Sequence, residues 1–150
     1  MHIHEVDPNI KEAGKLIAEL DSYQQALYPA ESNHLEDINN LASPTVTFVI
    51  AYLKDQAVGC GAIKDINRAY GEIKRMYVSP QARGFGLGKT ILSYLEKKAL
   101  AKQIRIARLE TGVHQKAALG LYKQMGYKRI APFGDYELDP LSVFMEKRLS

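Results

Sequence analysis

Eight consecutive residues, Arg83 to Thr90 in "RGFGLGKT", have the composition of an anion-binding turn. Gly84, Gly86 and Gly88 open backbone conformations closed to other residues. At the start of a helix such a turn aims successive N–H groups at one point, where the helix dipole also favours negative charge. Arg83 and Lys89 add positive charge at its two ends. The stretch before it, "GEIKRMYVSP", reads as a strand and the stretch after it, "ILSYLEKKAL", as a helix. Two nucleotide motifs nearly match and fail. A P-loop, G-x-x-x-x-G-K-[ST], would end on Gly88-Lys89-Thr90, but its first glycine would fall at Arg83. The dinucleotide fingerprint G-x-G-x-x-G needs glycine where Lys89 stands. The stretch is therefore read as a pyrophosphate cradle without a nucleotide signature.

The elements that must position this turn follow from apolar spacing. "HIHEV" predicts a first strand, and Ile10, Ala13, Ile17, Leu20 and Leu27 predict a helix from Asp7-Pro8 as far as Pro29. "ESNHLEDINNLA" predicts a second, short helix ending before Pro44. "TVTFVIAYL" and "QAVGCGAIKDI" flank Lys54-Asp55 as a hairpin, and "YGEIKRMYV" is a third long strand. Ile91, Leu92, Leu95 and Ala99 mark one face of the helix after the turn. "IRIARLE" is another strand and "QKAALGLYKQM" another helix, with Gly126 at its C-cap, and "SVFMEKRL" a terminal strand. The order β-α-α-β-β-β-α-β-α-β-β predicts an α/β fold of the α+β kind, a mixed sheet of six to seven strands flanked by about four helices. At 150 residues and 46% hydrophobic content, one domain over residues 1–150 is expected.

Composition excludes several classes. No run approaches the roughly 18 apolar residues of a membrane span, and "MHIHEVDPN" has no apolar signal core. A lone Cys60 leaves no internal disulfide, so the expected compartment is the cytoplasm. No base is assigned to Cys60, which reads as a buried structural thiol, and His2 with His4 lacks a third ligand, so no metal is expected. The net charge of +3 conceals an asymmetry: residues 1–73 hold 11 acidic and 5 basic side chains, residues 74–150 hold 6 and 15. A polyanionic ligand near the turn and a cationic one facing the acidic half fit that field. No compact basic run with interleaved aromatics points to nucleic acid.

On these residues the chain resembles the GNAT superfamily of N-acetyltransferases. Arg83-Gly84-Phe85-Gly86-Leu87-Gly88 matches the family's [QR]-x-x-G-x-[GA] pattern after a strand, and "LETG" (Leu109 to Gly112) and "ALGLYKQMGYKRI" (Ala118 to Ile130) match its later segments. The resemblance implies acetyl-CoA as donor, with its pyrophosphate on the amides of Arg83, Gly84, Phe85, Gly86, Leu87, Gly88, Lys89 and Thr90. It implies a pantetheine arm beside Met76, Tyr77 and Val78, admitted where the central strand parts from the next. A bulge near Met76 or Tyr77 would turn a backbone N–H toward the thioester oxygen. Many relatives carry Asn near the start of the later helix, where this chain has His114 and Gln115. Gln115 is taken as the cofactor contact.

The resemblance also implies roles for two catalytic residues. Tyr122 would hydrogen-bond the leaving sulfur; full proton transfer from a phenol to a thiolate runs uphill by roughly 2 kcal/mol. Glu72 stands where some members carry a general base, acting directly or through water; it could equally pair with Lys74 or bind the substrate ammonium. Lys74 and Arg75 could hold an acceptor carboxylate, Tyr136 could wall the acceptor pocket, and Glu31, His34, Glu36 and Asp37 could border it. The implied reaction is acetyl transfer to a primary amine, a small amine or amino acid, by direct attack in a ternary complex. A protein or peptide acceptor, a non-catalytic CoA-binding sensor, and a module binding ATP or GTP with magnesium are the alternatives. Homodimers are frequent in the family.

Overall fold

Apolar runs such as "VTFVIAYL" carry too few polar residues for a half-exposed strand, and they form the strands buried on both faces. The computed structural model describes residues 1–29 and 38–149. In chain order they form β1 (His2–Glu5), α1 (Lys11–Leu27), α2 (Ile38–Leu41), β2 (Val46–Leu53), β3 (Gln56–Ile66) and β4 (Tyr70–Val78). A short 3-10 turn at Pro80–Ala82 leads to α3 (Leu87–Ala101), β5 (Ile106–Gly112), α4 (Lys116–Gln124), β6 (Lys128–Ile130) and β7 (Ser142–Arg148). The element order matches that read from the sequence. Most of the expected second helix, with Glu31, His34, Glu36 and Asp37, lies outside the described residues.

The strands make one seven-stranded sheet in the order β1-β2-β3-β4-β5-β7-β6. Neighbours are antiparallel except β4 and β5, which run parallel. Lys54 and Asp55, at φ 49° and 66°, close the β2–β3 hairpin in the mirror-image turn that suits the strand twist. On one face, Leu87, Ile91, Leu92, Leu95 and Ala99 of α3 pack with Tyr122 of α4 against Ile73, Ala107 and Leu109. On the other, Ala13, Leu16, Ile17 and Leu20 of α1 pack on Phe48, Ile50, Cys60 and Ala62. Beyond the reach of α1, Phe133 from the connection after β6 closes over Tyr70 and Phe144. Among the described residues no helix is long and apolar enough to cross a membrane.

Two irregularities shape the middle of the sheet. The β4–β5 pairing covers Gly71–Ala107, Glu72–Arg108 and Ile73–Leu109, although β4 runs on to Val78 beside β3 and β5 to Gly112 beside β7. The two central strands therefore fork after Ile73 and Leu109. In the β3–β4 pair, Cys60 opposes Tyr77 but Ala62 opposes Lys74, so Arg75 and Met76 share the space opposite Gly61 as a bulge. Arg75 adopts a left-handed φ of 58°.

Tyr28, at the end of α1, fastens that helix to the β5 arm of the fork. Its ring stacks on His114 with centroids 5.5 Å apart, and its hydroxyl accepts the His114 N–H at 3.0 Å. The ring lies so close to Gly112 that an added Cβ would stand 1.8 Å from the hydroxyl oxygen. Gly112→Ala must push Tyr28 away, so a loss of about 2 kcal/mol and a fall in melting temperature of roughly 6 °C are expected by thermal unfolding. Gly120→Ala, where an added Cβ meets open space, is the control.

Candidate functional site

The turn ahead of α3 has the backbone an anion cradle needs. Gly84 and Gly86 sit at φ 90° and 75°, and Gly86 is the residue that caps α3. A side chain there would meet no neighbour; the left-handed backbone is what selects glycine. The first intrahelical bond runs from the Thr90 N–H to the Gly86 carbonyl at 3.1 Å, which leaves the amides of Leu87, Gly88 and Lys89 as first-turn donors without an intrahelical acceptor.

Two expectations about the turn, those for Gly88 and Thr90, need adjustment. Gly88 does not bend the chain: it lies inside α3 and is small because an added Cβ would come within 3.0 Å of Leu121 on α4. Phe85 is 65% exposed and does not line the adjoining cleft. Thr90 does not line it either, because its hydroxyl donates to the Gly86 carbonyl at 3.0 Å. Phe85 can serve the cradle through its backbone, as the resemblance implies, whereas the Thr90 N–H expected there is taken by the Gly86 carbonyl. Arg83 and Lys89 do line it, and Arg83 also donates from Nε to the Val78 carbonyl, fastening the turn to the end of β4.

From the turn a cleft of about 600 Å³ runs between β4 and α4 toward the fork. Its walls are Met76, Tyr77 and Val78 on one side and Ala118, Leu121 and Tyr122 on the other, with Gln115 at the N-terminus of α4. Past Ile73 the β5-facing edge of β4 is no longer paired to β5, so an extended ligand can add to it through main-chain hydrogen bonds. The expected residues Met76, Tyr77, Val78, Arg83, Gly84, Gly86, Leu87, Gly88, Lys89, Gln115 and Tyr122 thus share one cleft.

On the α1 side of the fork lies a smaller, polar chamber of about 60 Å³. Leu20, Met76, Gln115 and Tyr122 line both spaces, so the two meet at the fork. Lys74 and Arg75 of β4 face Glu110 and Thr111 of β5 across it, with Tyr28 and Tyr136 as walls. Glu72 is 6% exposed and stands behind this wall: its Oε2 accepts the Tyr136 O–H at 2.6 Å and lies 3.3 Å from Lys74 Nζ. Arg75 pairs with Asp21 of α1. Glu110, within "LETG", is not among the residues expected from the sequence; its signal is a carboxylate between the inward positions Leu109 and Thr111 at a strand's end. The Ser142 hydroxyl donates to Glu110 Oε2 at 2.8 Å.

Burial sets the protonation of the hydroxyl and thiol nearby. Tyr122 is 5% exposed, and desolvation, helped by the Glu110 charge, pushes its phenol well above the ordinary range. It stays a neutral O–H donor at any physiological pH. Burial pushes the Cys60 thiol up to about 12, and its S–H donates to the Arg75 carbonyl at 3.3 Å. Cys60 is therefore a structural donor that holds the bulge. The His2 and His4 rings lie 6.1 Å apart, and among the described residues no group of three or more His, Cys, Asp or Glu side chains is placed to hold a metal.

Known proteins are similar in sequence and in fold. The pattern of the acetyltransferase (GNAT) family matches residues 15–127. An Azospirillum brasilense protein named an IAA acetyltransferase is 48% identical over 136 residues, covering 90% of this chain and 89% of that one. The Bacillus subtilis N-acetyltransferase YsnE is 34% identical over 151 residues, covering 99% of this chain and all of that one. A Klebsiella pneumoniae crystal structure named for the acyl-CoA N-acyltransferases superposes with a TM-score of 0.85 at 40% identity, covering 99% of this chain and 97% of that one. The cradle, the forked sheet and the tyrosine between its two spaces are thus carried by an N-acetyltransferase: the chain belongs to the GNAT family.

Proposed function

We propose that the protein transfers acetyl from acetyl-CoA to a primary amine by direct attack in a ternary complex. The supporting observation is the continuity of two unlike spaces through the fork: a long cleft headed by an anion cradle, and a small polar chamber, with Tyr122 facing both. In this reading the pyrophosphate lies on the amides of the turn with Arg83 and Lys89, and the pantetheine arm adds to the β4 edge at Met76–Val78. The amine enters from the chamber.

The chemistry then divides among the residues present. The amine nitrogen attacks the thioester carbonyl carbon, a C–N bond forms, and the C–S bond breaks as the tetrahedral intermediate collapses. A main-chain N–H of the Arg75–Met76 bulge supports the oxyanion. Tyr122 donates a hydrogen bond to the sulfur as thiolate develops. Its raised pKa makes complete proton transfer more uphill than the roughly 2 kcal/mol between ordinary phenol and thiol. Glu72, held by Tyr136 and Lys74, positions the chamber wall.

Thiol release from acetyl-CoA across amines, amino acids, aminoglycosides and peptides tests the reading; IAA, for which the Azospirillum relative is named, belongs in the same panel. Turnover with a primary amine is expected, and acetyl-CoA binding with silence across the panel would overturn catalysis. Tyr122→Phe is expected to lower kcat by about a hundredfold while the acetyl-CoA Kd changes little. Gly86→Val forces a β-branched residue into left-handed backbone, and calorimetry should show acetyl-CoA affinity falling at least about tenfold.

A further inference from the structure

Ile73 and Leu109 are the last paired residues of the two central strands, so the next residue on each, Lys74 and Glu110, flanks the open fork at matching register. Ile73 and Leu109 point into the core beneath α3; Lys74 and Glu110 therefore project to the opposite face, where both line the small chamber. A cation stands on one arm of the fork and a carboxylate on the other, with Tyr122 between the chamber and the long cleft. Glu72 lies behind the wall with Tyr136 and Lys74 at its Oε2, whereas Glu110 opens on the chamber itself.

We infer that the chamber takes the α-ammonium and α-carboxylate of an amino acid, with Glu110 as the catalytic residue that receives the ammonium and accepts its proton, and Lys74 as the carboxylate's partner. The inference rests on the acetyl-transfer reading of the site. The ammonium gives one proton to Glu110, which passes it to water. The freed amine attacks the thioester carbon, the C–N bond forms and the C–S bond breaks. The nitrogen's second proton goes to the departing sulfur, giving N-acetyl amino acid, CoA thiol and one released proton. A chamber of about 60 Å³ has room for little more than the charged end of such a molecule. The groups facing Glu110 are Lys74 and Arg75 from β4, Tyr28 from α1, Tyr122 from α4 and Tyr136, with Ser142 of β7 bonded to it.

The test compares the standard α-amino acids with their primary amides and decarboxylated amines, by thiol release, for the full chain and three variants. The intact protein is expected to favour at least one amino acid over its amide about tenfold in kcat/KM, and Lys74→Met is expected to narrow that ratio. Glu110→Gln is expected to lower kcat/KM about a hundredfold and to remove the acid limb of its pH profile, which Glu72→Gln keeps. Glu110→Asp, with melting curves to verify folding, should restore the limb at reduced kcat. Retention of the acid limb in Glu110→Gln, or turnover of amides and amines equal to that of amino acids, overturns the inference while acetyl transfer stands. Failure of acetyl-CoA to bind in a calorimeter, or to be consumed with any acceptor, overturns the acetyl-transfer reading itself.

Discussion

Arg75 is held in a backbone conformation that an arginine does not choose. A non-glycine residue at a φ of 58° costs on the order of 1–3 kcal/mol, and surrounding contacts must hold it there. Two do so from different elements. Asp21 of α1 pairs with the guanidinium, and the Cys60 thiol of β3 donates to the Arg75 carbonyl. The result is one extra residue on β4 opposite Gly61, and an extra residue bends a strand. β4 loses β5 just before the bulge. Cleft, chamber and the unpaired β4 edge all adjoin that one local distortion.

The forked sheet lets two unlike solvation environments meet without a wall between them. On the α3 and α4 side the cleft runs from backbone donors and two cations to apolar Met76, Val78 and Leu121. On the α1 side the chamber is lined by charges. Tyr28 keeps the second space narrow because its ring packs on Gly112 and His114, on the far arm of the fork. Charge separates the same way along the chain. The basic half starts at Lys74, at the fork, and supplies the cradle; the acidic half supplies α1 and Asp21. A polyanionic ligand and a cationic one can therefore approach from opposite faces.

The fold was legible because its elements are carried by local patterns. The apolar spacing of Ala13, Ile17 and Leu20, the Lys54-Asp55 turn and Gly126 each specify their element within a few residues. Gly126, at φ 96°, ends α4 with the paired bonds Tyr127 to Tyr122 and Gly126 to Lys123 that such a cap makes. The bend of the turn ahead of α3 was legible for the same reason, since Gly84 and Gly86 act on their own backbone. Gly88 was misread because its smallness answers Leu121, a residue 33 positions away that only packing brings near. The bulge was expected near Met76 or Tyr77 from resemblance and lies at Arg75–Met76. One of the two contacts that hold it, Asp21, is 54 residues off, at a separation no local pattern encodes. Glu72 and Glu110 pose the same difficulty: both are carboxylates on neighbouring strands, and the register of the fork decides which of them faces open space.

That register also sorts the protons. Desolvation raises the Tyr122 phenol, and the nearby Glu110 charge raises it further, because a phenolate beside a carboxylate would repel it. Burial first, and that repulsion second, keep the Tyr122 phenol protonated. In the proposed reaction a proton leaving an ammonium in the chamber goes toward the carboxylate, while the phenol keeps its own and offers the sulfur only a hydrogen bond. In that reaction each group acts on a different atom. The opening along one strand pair is what places a buried tyrosine between the two spaces.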